Sequence, residues 1–346
     1  MKKALVGALA AVLVVAGCSA VAHLRALQPQ RMPAAAPLII PRTLAVRQPA
    51  FQYGIDVDAY TYPQHNFSAA AAAVVAYAVR LHANSLSISF PFFMSGVSSS
   101  RVFATTRTPT PTELGLLITD AERAGLYVSL RPLLSEANIG HSRVIWKPVD
   151  PAAWFASYLR FLLPYAQMAQ ADKVGEFIIG AEFARFGNSP LWDRLDRAVA
   201  RVFHGVLAYS NNDTTGLTRA SGGRYAFKTI DAYHPIHPPF LRGWESFDRH
   251  LPQGTVLTEV GIAAIDGAWR QPWVHRSQAV TINPLVQARW FTAACEAARA
   301  TGLRGIYFWT LPLSTRFPST SAATPGAWAY SAGAAAIASC FAGHAA

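Results

Sequence analysis

The segment Glu176-Phe177-Ile178-Ile179-Gly180-Ala181-Glu182 is a short, apolar, β-rich run that ends directly before a carboxylate. The segment Thr255-Val256-Leu257-Thr258-Glu259 repeats that arrangement later in the chain. These two segments belong to a set of eight short, apolar, β-rich runs that follow residue 51. The runs are Tyr53–Asp58, Asn84–Phe90, Leu126–Arg131, Glu176–Gly180, Gly205–Ser210, Phe227–Tyr233, Thr255–Val260 and Gly305–Thr310. Strands that are apolar along nearly their whole length are typical of a parallel sheet that is buried on both faces.

Ala-rich or amphipathic stretches lie between these runs, so the chain alternates strand and helix. They occupy residues 67–82, 111–124, 152–171, 190–202, 240–250 and 283–301, with a last one near 329–341. Eight such units predict the (β/α)8 barrel. A doubly wound sheet is disfavoured because no Gly-x-Gly-x-x-Gly motif follows any strand. We therefore expect the α/β class, with a single TIM barrel formed by residues 51–346.

The composition excludes several other classes of protein. The 346 residues are 52% hydrophobic and 14% charged, which excludes an intrinsically disordered chain. Three cysteines without a Cys-x-x-Cys spacing exclude a disulfide scaffold and a zinc ribbon. The net charge is +11, but the basic residues are scattered singly beyond Lys2-Lys3. A nucleic-acid partner is therefore not expected, whereas a mild preference for anionic surfaces or polymers is.

The first residues look like an export signal. Lys2-Lys3 precedes the apolar run Ala4–Gly17, which is too short to span a bilayer and suits the apolar core of a signal peptide. The run ends in Val15-Ala16-Gly17-Cys18, which resembles a bacterial lipobox, in which the cysteine is lipidated. An ordinary signal peptide with an incidental cysteine is the alternative. We expect residues 1–18 to be a lipoprotein signal peptide and residues 19–50 a flexible tether. The protein would then be exported and lipid-anchored in the bacterial cell envelope.

Export makes the other two cysteines informative. With Cys18 lipidated, Cys295 and Cys340 remain, an even number in an oxidising compartment, so they are candidates for a disulfide. Both lie in helical stretches near the C-terminus. The expected chain is a monomer.

Barrel enzymes carry their chemistry at the C-terminal ends of the strands. Glu182 and Glu259 lie at those ends on the fourth and seventh strands, where an unpaired carboxylate beside the apolar core would be costly. An ion pair with Arg131 or another arginine is one explanation. The other is a pair of carboxylates facing each other across the barrel mouth, as an acid and a nucleophile would stand on either side of a sugar bond.

These residues resemble the clan A glycoside hydrolases, and most closely glycoside hydrolase family 113, the β-mannanase family. The resemblance covers roughly residues 50–340. It is carried by five segments, namely Trp154-Phe155-x-x-Tyr158-x-x-Phe161, Phe177–Glu182, Tyr209-Ser210-Asn211-Asn212, Ile230-Asp231-Ala232-Tyr233 and Thr258-Glu259-Val260-Gly261, and by the loop with Ile265–Ala268 and Pro272-Trp273. Most of the clan has Asn before the acid/base glutamate; here Ala181 takes that place, as in family 113.

The resemblance implies a retaining endo-hydrolase of a β-linked polysaccharide, with mannan favoured and no metal or organic cofactor. Glu182 would be the acid/base and Glu259 the nucleophile. The residues expected to contact substrate are Tyr233, Trp309, Asn212, Arg131, Trp273 and Asp56. Tyr233 resembles the tyrosine that hydrogen-bonds the nucleophile, and Trp309 matches the ring that stacks on the sugar.

Other interpretations compete with this one. Asp56 can instead cap the first loop, and Trp309 and Tyr233 can be packing residues. His234 and His237 are three residues apart around a proline, without a nearby cysteine or glutamate, so a zinc site is disfavoured. At the level of function, the alternatives are a clan A hydrolase of another secreted or cell-wall polysaccharide and a non-catalytic glycan-binding lipoprotein on the same scaffold.

Overall fold

Eight parallel strands form a closed barrel in which each strand pairs with the next and β8 pairs with β1. The computed structural model describes residues 46–59, 66–140, 142–212, 228–274, 281–317 and 327–343. The strands are β1 Gln52–Asp58, β2 Ser85–Phe92, β3 Tyr127–Leu134, β4 Glu176–Ala181, β5 Val206–Asn212, β6 Thr229–Asp231, β7 Val256–Val260 and β8 Gly305–Pro312. The predicted TIM barrel is confirmed.

Helices surround this sheet. They are α1 Phe67–Arg80, α2 Pro111–Arg123, α3 Glu136–Ile139, α4 Pro151–Ala171, α5 Leu191–Val199, α6 Phe240–Arg249, α7 Pro284–Ala300 and α8 Ala332–Ala342. Local sequence explains several starts: Thr110 and Glu113 form a capping box on α2, and Asp150 caps α4, in both cases with Pro as the first helical residue. The short α3, in the loop after β3, lies outside the predicted helices.

The core follows from the strands, which are buried on both faces. Gly180 shows how tightly the helices pack on the sheet, because a Cβ atom there would lie 2.7 Å from the Trp192 ring and 2.8 Å from the Tyr209 ring. Both distances are shorter than real carbon contacts allow. The absence of a side chain at residue 180 therefore lets α5 lie directly on β4, just before Glu182.

The last two helices are covalently joined. Cys295 of α7 and Cys340 of α8 form a disulfide in the structure, with their Cα atoms 6.5 Å apart. The closed sheet, its ring of helices and this disulfide all lie within Thr43–Ala346, which forms one compact unit. Because the barrel is closed by strands from residues 52–312 alone, we expect this unit to fold by itself.

The predicted signal peptide, Cys18 and residues 19–45 of the predicted tether lie outside the described residues. No helix in the described part of the chain is both long and apolar enough to cross a membrane.

Candidate active site

The two glutamates lie at the same end of the barrel. Glu182 is the first residue after β4, and Glu259 is the second-last residue of β7. Parallel strands of a closed barrel end at one rim, so both carboxyl groups belong to the mouth. The Glu182 side chain is 16% exposed and that of Glu259 is 5% exposed. Both are therefore largely shielded from water, Glu259 more completely than Glu182.

The backbone at Glu182 is in an unusual conformation that its surroundings hold in place. Its φ is +58°, in the left-handed region that residues other than Gly, Asn and Asp rarely adopt. The Glu182 amide donates to the Ser210 carbonyl (2.9 Å), and the Phe183 amide donates to the Tyr209 hydroxyl (3.1 Å). Such strain persists only where the surrounding structure determines the conformation, and it concentrates at functional sites. Here β5 fixes the direction in which the Glu182 side chain points.

An arginine from the loop after β3 contacts Glu182. The Nε atom of Arg143 lies 3.0 Å from Oε2 of Glu182 and 3.3 Å from Oε1 of Glu136. The backbone amide of Arg143 also donates to that Glu136 oxygen, at 2.7 Å. The Arg143 side chain is only 10% exposed, so this ion pair is poorly screened. Arg143 and Glu136 were not predicted from the sequence as site residues.

Glu259 has a different set of partners. The Tyr233 hydroxyl donates to Oε2 at 2.8 Å, and Nη1 of Arg131 lies 2.6 Å from Oε1. Both partners favour the ionised carboxylate, one by donating a hydrogen bond and the other by its positive charge.

Arg131 lies behind Glu259, with no exposed side-chain surface. Its guanidinium also lies 2.5 Å from Asp231 and 3.5 Å from Asp56, and both of these carboxylates are fully buried. The Asp231 carboxylate accepts hydrogen bonds from Ser210 (2.7 Å) and Thr258 (2.9 Å). Asp56 and Arg131, which the resemblance placed at the substrate, thus form a buried layer under the mouth. The structure therefore also contains the ion pair that the sequence offered as an alternative for Glu259.

Burial raises the pKa of both glutamates, and the neighbouring charges separate them. For Glu182, burial is the largest cause; Arg143 opposes it, and the negative charges of Asp231 and Glu259 raise the pKa further. For Glu259, burial and Asp231 raise the pKa, and Arg131 opposes them. Tyr233 and Arg131 both contact Glu259 and favour its ionised form, whereas among the described side chains Arg143 alone contacts Glu182, whose pKa three neighbouring carboxylates raise. These contacts favour Glu182 as the protonated member of the pair.

The other predicted contact residues occupy different depths. Trp309 is partly exposed on β8, and its carbonyl accepts a hydrogen bond from the Trp328 indole at 2.7 Å. Asn212 is buried at the end of β5. Trp273 is 47% exposed in the loop after β7. Trp309 and Trp273 thus both lie at the mouth end of the barrel, and Trp273 is the more exposed of the two.

The two histidines after β6 do not form part of a metal cluster. His234 stacks on Phe247 of α6, with ring centroids 5.1 Å apart, and His237 is exposed. Across the described ranges, no group of three or more His, Cys, Asp or Glu side chains is arranged to hold a metal ion.

A closed (β/α)8 barrel with glutamates at the ends of β4 and β7, one favoured as the acid and the other as the carboxylate, is the arrangement of a glycoside hydrolase. The sequence model for Glycoside Hydrolase Family 113 matches residues 59–330. The chain belongs to this family, as its sequence predicted.

Solved structures agree with the fold. A family 113 β-1,4-mannanase in a complex is 17% identical, with a TM-score of 0.74 over 84% of this chain and 98% of that one. The family 113 β-mannanase AaManA from Alicyclobacillus acidocaldarius, in complex with ManMIm, is also 17% identical, with a TM-score of 0.73 over 85% and 98%. A xylanase from Cellvibrio japonicus is 12% identical, with a TM-score of 0.54 over 85% and 98%. A search of curated proteins found no match.

Proposed function

We propose that this glycoside hydrolase is a retaining endo-β-mannanase, with Glu259 as nucleophile and Glu182 as acid/base. The observation that carries the proposal is the unequal environment of the two glutamates. Glu259 is held by Tyr233 and Arg131, which favour its ionised form. Burial raises the pKa of Glu182, and the neighbouring carboxylates raise it as well, which favours the protonated form of this side chain.

The reaction takes two steps. In the first, a Glu259 oxygen attacks the anomeric carbon and the glycosidic C–O bond breaks, while Glu182 gives its proton to the leaving oxygen. In the second, Glu182, now ionised, takes a proton from water, whose oxygen attacks the same carbon and releases Glu259. Each step inverts the carbon, so the product retains its configuration. In the second step Glu182 regains the proton that it gave in the first, and Glu259 returns to its carboxylate form, so the full cycle requires no net supply of protons.

Mannan is favoured as the substrate because two family 113 structures that are similar to this chain are β-mannanases. In this proposal the rings of Trp309 and Trp273 stack on the apolar faces of sugars, and Asn212 contacts sugar hydroxyls. Arg131 and Asp56 act from below, by positioning Glu259 rather than by touching substrate. A panel of β-glycans, with β-mannan among them, separates mannanase action from action on another polysaccharide and from glycan binding without hydrolysis.

The decisive experiment combines product stereochemistry with two variants. Proton NMR of the first product should show the β-anomer; an inverted anomer would contradict these roles. Glu259→Ala should lower kcat by at least about 10⁴-fold, since no other group forms the intermediate. Glu182→Ala should be milder on an aryl glycoside with a good leaving group, which needs little proton donation. Azide should rescue the Glu182 variant and yield a β-glycosyl azide, whereas Glu259→Ala should give at most the α-azide.

We also propose that the enzyme is exported and held at a membrane of the bacterial cell envelope through an acylated Cys18. The support is the sequence Val15-Ala16-Gly17-Cys18 after a short apolar run. After a wash in buffer of about 1 M salt, which screens binding by surface charge, Cys18→Ser should leave the membrane fraction for the soluble fraction, and a variant that still fractionates with the washed membranes would refute the anchor.

A further inference from the structure

The barrel has a second face, at the end opposite the glutamates. It consists of the segments that lead into the strands, here called the basal face, at residues 46–51, 80–84, 123–126, 171–175, 200–205, 228, 249–255 and 299–304. These described residues include nine basic side chains and one carboxylate, Asp172. The basic residues are Arg47, Arg80, Arg123, Lys173, Arg201, Lys228, Arg249, Arg299 and Arg304.

Helix electrostatics explain only part of this charge. Four of the arginines lie in the last turns of helices, where a cation is favoured by the helix dipole, namely Arg80, Arg123, Arg249 and Arg299. That effect does not account for the five cations beyond the helix ends. The carboxylates that precede Arg123 and Arg249 in the same helices, namely Asp120, Glu122, Glu245 and Asp248, offset only part of the positive charge, and Glu122 and Asp248 are buried. The described loops at the mouth end contain seven Arg or Lys and four Asp or Glu, in addition to the acidic strand ends. The positive charge is therefore concentrated on one end of the barrel.

Residues 46–51 of the basal face lead directly into β1, the first strand of the barrel. The Gln52 amide donates to the Arg304 carbonyl at 2.9 Å, which ties the start of β1 to the turn before β8. Beside this contact is a hollow of about 540 Å³, lined by Arg47, Gln48, Pro49, Ala50 and Arg304. Two guanidinium groups at one hollow form a suitable site for an anionic phosphate group.

We propose that the basal face binds the surface of a membrane rich in anionic phospholipid, with the barrel mouth facing away from the bilayer. The cations are spread around turns on all sides of the barrel end, which suits a planar surface better than a linear polyanion. The aromatic residues here also do not offer bases a stacking platform, since Phe203 is buried and Phe51 packs against the core. A bound barrel presents its active site to polymer outside the membrane. The charge argument does not require an acyl chain at Cys18.

The test uses residues 43–346, which lack Cys18, and sedimentation with lipid vesicles. The barrel should bind vesicles containing about 30% phosphatidylglycerol and not vesicles of phosphatidylcholine, in buffer of about 50 mM salt. The triple variant Arg123→Glu, Arg201→Glu, Arg299→Glu should bind the anionic vesicles on the order of a hundredfold more weakly, because each cation at such a surface contributes about fivefold.

A matched control carries the same change in net charge elsewhere. Arg194, Arg242 and Arg289 are exposed on α5, α6 and α7, away from the basal face. Changing these three to Glu should weaken binding by less than about fivefold. Both triple variants should hydrolyse a soluble substrate at the wild-type rate, which shows that they are folded. Equal losses in the two variants, or binding to a soluble polyanion such as dextran sulfate but not to the vesicles, would overturn the proposal.

Discussion

Strand β4 carries a glutamate near each end, and the barrel treats the two in different ways. Glu176 begins the strand; it is 1% exposed, and its Oε2 accepts a hydrogen bond from the Ser129 hydroxyl at 2.9 Å. Glu182 follows the strand, is more exposed, and pairs with Arg143. Burial raises the pKa of both. At the base of the barrel, the Ser129 hydroxyl is the main group that lowers the pKa of Glu176. At the mouth, the Arg143 guanidinium is the main group that lowers the pKa of Glu182.

This difference separates a structural carboxyl group from the two that are proposed to be catalytic. A buried carboxyl with a hydroxyl partner is most stable when it is protonated, and it then carries no charge for chemistry. At the mouth, Arg131 and Arg143 keep several carboxyl groups close together and able to ionise. The mouth therefore depends on cations for its stability in a way that the base does not.

The largest effect should follow from removing the central cation of the mouth. In Arg131→Met, three buried carboxyl groups lose the guanidinium that lies 2.6 Å from Glu259, 2.5 Å from Asp231 and 3.5 Å from Asp56. Breaking a buried ion pair from one side typically costs about 3–5 kcal/mol. We expect a loss of that size in the free energy of unfolding in urea at neutral pH, and a smaller loss at acidic pH, where the carboxyl groups can protonate.

The control is Arg123→Met, because Arg123 is exposed and lies 4.0 Å from Asp120 on the surface. It should change stability by less than about 1 kcal/mol. If Arg131→Met were as mild as this control, the network under the mouth would not be the stabilising element that its geometry indicates.

A smaller effect, with the opposite sign, should appear at the base. Burial raises the pKa of Glu176 to about 7. The pKa of this group in the unfolded chain is about 4.3. The stability that the protonated Glu176 contributes is therefore fully present below that pH and is lost as the pH rises through about 7. In Glu176→Gln this loss cannot occur, and the amide oxygen can still accept from Ser129. The difference in the free energy of unfolding between the variant and the wild type should therefore be about 2–3 kcal/mol more favourable to the variant at pH 8 than at pH 4.

Urea unfolding at the two pH values measures this difference, and hydrolysis should be unchanged because Glu176 lies at the far end of β4 from the mouth. Glu296→Gln, at an exposed position on α7, serves as the control for a lost carboxylate. A gain that is the same at both pH values would show that packing, and not the charge of Glu176, is responsible.

The strands were predictable because their signal is local. Continuous apolar runs placed all eight close to their observed positions. The largest differences are at β3, predicted over Leu126–Arg131 and observed at Tyr127–Leu134, and at β6, predicted over Phe227–Tyr233 and observed at Thr229–Asp231, where Phe227 lies outside the described residues. β2 and β3 extend beyond their predicted ends through Pro91-Phe92 and Pro132–Leu134, since both extensions remain apolar and in register. Glu182 and Glu259 could be selected for the same reason, as carboxylates that directly end or interrupt such a run.

The contacts around Glu182 could not be predicted, because they depend on how a loop packs. Arg143 reaches Glu182 from the loop after β3, whose Trp146 is completely buried and packs against Phe183 and Trp154, with ring centroids 4.9 and 4.3 Å away. The spacing of these residues in the sequence contains no signal of that contact. The role of Arg131 was foreseen only as an alternative, because its burial depends on Asp56 and Asp231, which come from other strands.

The smallest expected effect tests whether Arg143 shifts the pKa of Glu182, the proposed acid/base group. Because Arg143 lowers the pKa of Glu182, Arg143→Gln should raise it further, and the alkaline limb of the kcat/KM profile should move to higher pH by about one unit. Arg143→Lys keeps the charge and should leave the limb nearly in place. Glu136→Gln removes a negative charge that raises the pKa of Glu182, so its limb should move to lower pH. Opposite shifts in these two neutral variants are the signature of an electrostatic role, whereas shifts in the same direction, or a lower kcat without a shift, would assign Arg143 and Glu136 to loop structure alone.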